Sequence, residues 1–179
     1  MSEQTPLSLG TEDIKKLLMR YAVPAIVAMT AASLYNMMDS IFIGHGVGAL
    51  GIAGLAVTFP FINLAAAFGS LVGVGASTLV SVKMGQKDLK SAEAVLGNVL
   101  LLNTVIGFLF MTVCLIFLDP ILYFFGASAD TLPYARDYMK VILYGNLITH
   151  IYMGLNEVMR ASGYPQRAMM ATLFAVLIN

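Results

Sequence analysis

Tyr21 to Ile43 reads YAVPAIVAMTAASLYNMMDSIFI, and the reading of this stretch decides the fold. As a helix its 23 residues would extend about 35 Å at ~1.5 Å per residue. That is enough to cross a hydrocarbon core about 30 Å thick. Asp39 is its one formal charge. An acid at mid-depth in a membrane helix costs roughly 2.5–3.5 kcal/mol on insertion scales, so such a residue marks a functional site.

Outward from this stretch the same pattern recurs. Between Tyr21 and Val82 no other formal charge occurs, and Ala94 to Leu118 has none. The 179-residue chain is 59% hydrophobic and 11% charged, against about 25% charged for an ordinary soluble domain. Ten basic and ten acidic residues cancel, and no single-sign cluster offers a surface for nucleic acid. These features give an all-α membrane protein, a bundle of transmembrane helices. The first 20 residues are polar and include Glu3, Glu12, Asp13, Lys15, Lys16 and Arg20. A secretory signal would place a short apolar core there, so a retained anchor is expected. Cys114 is the lone cysteine, which rules out an internal disulfide and suits a small buried hydrophobe.

Residues 1–20 form a cytoplasmic amphipathic lead-in, with Thr11 as the expected N-cap. Residues 21–179 form an incomplete amino-terminal transmembrane bundle. The first span ends near Ile43 and should bend at Pro24, where the ring clashes with the preceding turn. Gly44 to Gly48 is read as a flexible connection. A second span runs from about Gly51 to Val82, broken or bent near Pro60, and Lys83 to Ser91 is a polar loop. A third runs from about Ala92 to Leu118, followed by an interfacial connector from Ile121 to Leu132. A fourth is centred on Val141 to Asn156 and continues toward Arg160. A fifth starts near Arg167, and Ala168 to Asn179 is about 18 Å of helix, less than a full crossing. The expectation is four spans plus part of a fifth, the front of a longer protein. Basic residues favour the tail, the second-to-third loop and the fourth-to-fifth turn, which places the amino terminus in the cytoplasm.

Tyr35, Asn36 and Asp39 are spaced i, i+1 and i+4 and so fall on one helical face. An acid, an amide and a phenol together can hold a proton or a sodium ion. The alternative is an interfacial acid bonded to a neighbouring backbone group. The fourth span offers Tyr138, Thr149, Tyr152 and Asn156. Tyr138 and Asn156 lie five turns apart at ~3.6 residues each and share a face. With Asn179 they are candidates to complete a polar cluster around Asp39. Gly69, Gly73 and Gly75 mark a small-residue face suited to close helix packing. His45 and His150 are isolated, and a metal site needs more ligands. No hydrolase, metalloprotease or phosphate-loop motif is present, so an enzyme is not expected.

Two stretches go beyond composition. Gly73 to Ala92 (GVGASTLVSVKMGQKDLKSA) resembles the second-to-third-helix signature of multidrug and toxic compound extrusion (MATE) transporters. Leu34 to Gly44 (LYNMMDSIFIG) looks like that family's first helix with its acid. Arg160-Ala-Ser-Gly163, with a helix reaching Leu177-Ile-Asn179, is similar to the fourth-to-fifth-helix passage. The resemblance implies a twelve-helix fold in two six-helix halves around a central cavity. It implies a secondary antiporter of the cell (inner) membrane that exports organic cations or drugs as sodium ions or protons enter. No cofactor beyond the coupling Na+ or H+ is implied. By position Asp39 matches the coupling acid, Pro24 the bending proline and Asn179 the fifth-helix asparagine. Tyr138 and Asn156 are matched by face. The family's next Asp would fall beyond residue 179, so transport is expected of a longer chain that supplies the carboxy-terminal part. The runner-up is a lipid-linked sugar flippase of the related superfamily, and beyond it an inactive truncated membrane protein.

Overall fold

The structure is a computed structural model in which residues 12–178 are described. Six helices follow in order: α1 (Ile14–Gly46), α2 (Ala49–Gly85), α3 (Leu89–Ile116), α4 (Leu118–Phe124), α5 (Leu132–Ala161) and α6 (Pro165–Ile178). Three of them, α1, α2 and α3, are long and apolar enough to cross a membrane. The 30 residues of α5 give it about 45 Å of length, with its charged residues gathered near the two ends.

Several expected boundaries move. The lead-in is continuous with the first span, because α1 runs unbroken from Ile14 through the buried Pro24. Asp13 caps it, accepting a hydrogen bond from the Lys15 amide at 2.8 Å, while Thr11 lies outside the described residues. The connection at Gly44–Gly48 shrinks to Val47 and Gly48, since α1 continues to Gly46 and Gly48 turns the chain with φ of 88°. Pro60 does not break α2, which is helical for 37 residues. The polar loop shortens to residues 86–88, where Lys87 takes a φ of 60° and Asp88 caps α3. The third span ends at Ile116, and a short helix, α4, runs from Leu118 into the first residues of the expected interfacial connector. Arg136 of α5 grips its Asp119 through both guanidinium Nε and Nη2, a bidentate pair that fixes α4 against α5.

The packing follows from residue size. The buried face of α2 is Gly51, Gly54, Thr58, Phe61, Ala65, Gly69, Gly73, Ala76 and Val80, a stripe at helical spacing made mostly of small residues. Small residues let backbones approach closely, which drives helix association where lipid removes the hydrophobic driving force. Through this stripe α2 packs on α5, and α3 closes the third side. An apolar cluster around Phe61, Cys114, Met139 and Leu143 fills one end. Ala76, Val80, Val99 and Val158 fill the other. Beside this triple lies a pair, α1 and α6, which start at the same end: Pro165 and Met169 of α6 lie by Pro24 and Ala28 of α1.

Candidate functional site

Asp39 sits seven residues before the end of α1 and is half-buried. The Tyr138 hydroxyl, in the second turn of α5, donates to its Oδ2 at 2.9 Å. The side chain is therefore turned toward the bundle. The ion pairs among the described residues join Arg20 to Glu12, Lys83 to Asp88, Arg136 to Asp119 and Arg160 to Glu157, and Asp39 is in none of them. An ionised carboxylate has about four acceptor positions. One phenol donor leaves room for a proton or a cation.

The other residues read from the sequence separate around this pair. Tyr35, one turn before the acid, is half-buried and within electrostatic reach of the Tyr138 phenol. Asn36 is exposed, and its carbonyl accepts the Ser40 hydroxyl at 3.0 Å. Asn156 does not join a cluster around Asp39. It lies 18 residues beyond Tyr138, about 27 Å along α5, and is engaged with α6 instead. Its Nδ2 donates to the Ala168 carbonyl at 3.0 Å and lies 3.5 Å from the Tyr152 hydroxyl. Thr172 donates to the same carbonyl at 3.1 Å, so the 2.6 Å contact between Tyr152 and Thr172 is donated by the phenol. Thr149 is exposed and bonds back to the Gly145 carbonyl. Asn179 lies outside the described residues.

The structure thus has two polar contacts at opposite ends of α5, one to α1 and one to α6. Thr172, absent from the candidates above, carries the second; its signal was a hydroxyl in an otherwise apolar run. Pro24 borders a cavity of about 220 Å³ between Tyr21 and Ala28 of α1, Arg160, and Pro165 and Met169 of α6. The missing amide hydrogen of a proline leaves one carbonyl of the preceding turn without its helical partner, so α1 has a weak point beside open space.

Fold and site together define a polytopic helical membrane protein with an intramembrane acid held at a helix–helix contact. The sequence profile of the MatE family matches residues 24–179, and the chain belongs to that family. It is 29% identical over 179 residues to the multidrug export protein MepA of Staphylococcus haemolyticus (strain JCSC1435), covering 100% of this chain and 40% of that protein. Among solved structures, MATE in the bent conformation is similar with a TM-score of 0.87 and 26% identity, over 98% of this chain and 39% of that one. MATE in the straight conformation gives a TM-score of 0.86 at the same identity and coverage. The chain spans about two fifths of the length of these relatives.

Proposed function

We propose that this chain forms the amino-terminal helices of a secondary antiporter that exports organic cations or drugs across the cell (inner) membrane. Sodium ions or protons enter in exchange, and the amino terminus is cytoplasmic. The observation that carries the proposal is the Asp39–Tyr138 hydrogen bond. It ties the charge state of one intramembrane acid to the packing of α1 on α5. An ionised acceptor strengthens a hydrogen bond about twofold over a neutral one. A proton or sodium ion on Asp39 competes with the phenol and weakens that contact. Such differential stabilisation can shift a two-state equilibrium. Solved relatives are described in a straight and a bent conformation, and Pro24 gives α1 a place to bend.

Asn36, Asn156 and Asn179 remain members of the proposed polar apparatus of the amino-terminal half. Asn156 acts where α5 meets α6 rather than on Asp39. The likeness to MepA favours drug export over a lipid-linked sugar flippase, and family membership supports reading the chain as part of a transporter. The test uses the full-length protein that contains this chain. Asp39→Asn should abolish efflux of a fluorescent cationic dye driven by a sodium or proton gradient, with membrane insertion unchanged. Undiminished efflux by that variant removes Asp39 from the mechanism.

A further inference from the structure

The middle of the α2–α3–α5 triple differs from both its ends. Between the two apolar clusters lie Asn103 of α3 and Asn146 and His150 of α5, which are 0%, 4% and 1% exposed. Glycines pack among them. Gly107 and Gly69 flank His150 on its α3 and α2 sides, and a Cβ built on Gly154 would lie 1.9 Å from the Asn103 amide nitrogen. The His150 ring has one partner: Nδ1 lies 3.0 Å from the Asn146 carbonyl. A carbonyl only accepts, so Nδ1 carries the hydrogen, and in the neutral ring Nε2 is left as an acceptor. That Nε2, both ends of the Asn103 amide and Nδ2 of Asn146 are buried without a protein partner. Buried polar atoms are nearly always hydrogen-bonded, to protein or to ordered water.

These four atoms are strung along α5 from Asn146 to the level of Gly154, about 12 Å at ~1.5 Å per residue, and their chemistry selects the ligand. Two are donors, the amide nitrogens of Asn103 and Asn146. Two are acceptors, Oδ1 of Asn103 and Nε2 of His150. A cation would satisfy only the acceptors, and an anion only the donors. No formal charge lies on α2 between residues 49 and 82, on α3 between 94 and 118, or on α5 between 141 and 156, so nothing there would balance an ion. We propose that this belt is an intramembrane hydration site, binding ordered water to Asn103, Asn146 and His150 between α2, α3 and α5. Water both donates and accepts, and a buried water commonly makes about three hydrogen bonds to groups of this kind. The site is separate from the Asp39–Tyr138 contact and does not depend on ion coupling.

X-ray radiolysis tests it, because hydroxyl radicals formed from bound water oxidise the side chains next to that water. The measurement is made on the full-length protein that contains this chain, in lipid nanodiscs, and read by mass spectrometry. Met139 is the internal control: it is 0% exposed, inside the apolar cluster, and methionine reacts readily. The expected result is that His150 is oxidised several-fold faster than Met139. Asn146→Leu, which keeps the backbone carbonyl that orients the ring, should bring His150 down to the Met139 rate. Oxidation of His150 no faster than Met139 in the unaltered chain overturns the proposal, whether or not the variant folds. Fast oxidation that persists in Asn146→Leu overturns the assignment of Asn146 to the site.

Discussion

α1 and α2 are both long apolar helices, yet they are held by opposite means. α2 buries nine residues in a continuous stripe, whereas α1 buries only Pro24 and Ala28 among the helices present. At Gly73 α2 meets the backbone of α5 so closely that a Cβ would lie 2.8 Å from the Gly154 Cα. α1 reaches α5 through the Asp39–Tyr138 hydrogen bond, leans on α6, and meets α2 only where the two helices join, with Ile43 and Gly44 beside Gly51 and Ile52. A glycine-lined contact holds through many atoms and changes little with charge. A contact resting on one carboxylate changes when that carboxylate is neutralised. The triple α2–α3–α5 is held by packed surface, whereas the contact of α1 with α5 depends on charge.

The sharpest way to break the comparison is Gly73→Leu. Its side chain meets the Gly154 Cα and carbonyl oxygen, and backbone cannot step aside as a flexible side chain can. Overpacking of this kind costs about 3 kcal/mol. Thermal melting in detergent, followed by size-exclusion chromatography, should show loss of the folded monomer. Gly75→Leu on the same helix is the control: a Cβ there meets nothing within 4 Å, and its melting temperature should be unchanged. The sequence groups Gly69, Gly73 and Gly75 on one small-residue face. The structure keeps Gly69 and Gly73 and turns Gly75 outward.

Asn156→Leu comes next, because it tests whether α6 depends on its own polar contact. It removes the donor that reaches Ala168 from inside a buried site. Hydrogen bonds between membrane helices average about 0.6 kcal/mol, with a maximum near 1.7, and burial places this one toward the upper end. Hydrogen exchange should show α6 loosened while α2 and α3 keep their protection. Tyr138→Phe should have a smaller effect on stability, because Asp39 is half-buried and regains solvation. Its effect should fall on α1, as faster labelling of a cysteine placed beside Asp39, with α6 unaffected. Equal loosening of α1 and α6 by either variant would dissolve the distinction between the two ends of α5.

Much of this was legible in the sequence, for identifiable reasons. Hydropathy and charge spacing mark the helices because lipid requires an apolar exterior, and the cost of burying Asp39 singles it out. Tyr138 was legible as a polar position on the fourth span. Asn156 was misplaced because helical periodicity reports a face and not a depth. Two residues 18 apart point the same way, yet sit nearly a bilayer thickness from each other. The continuity of α1 was hidden by the charges of residues 12–20, which resemble a separate surface helix until Asp13 is seen capping the whole. The polar belt around His150 was not legible. Asn146 and His150 share a face of the fourth span at i and i+4, but that they are buried, and that Asn103 lies along the same seam, follows only from the crossing of α2, α3 and α5.

The smallest expected effect concerns the turn that joins α2 to α3. Asp88 accepts the Ser91 amide at 3.1 Å and faces Lys83 at 3.7 Å. Its hydrogen bonding to Ser91, helped by Lys83, holds its carboxyl below the usual carboxylate range. A carboxyl depressed in the folded state contributes stability above its unfolded value and loses that contribution as pH falls through the folded one. The Ser91 amide should therefore be protected from exchange at neutral pH and lose protection on acidification below the ordinary carboxylate range. In Asp88→Ala that protection should be low and independent of pH. The group is exposed, so the global melting temperature should hardly move in either case. A large drop would mean that α2 and α3 are held at their turn rather than by the glycine-lined stripe, and the contrast with α1 would have to be redrawn.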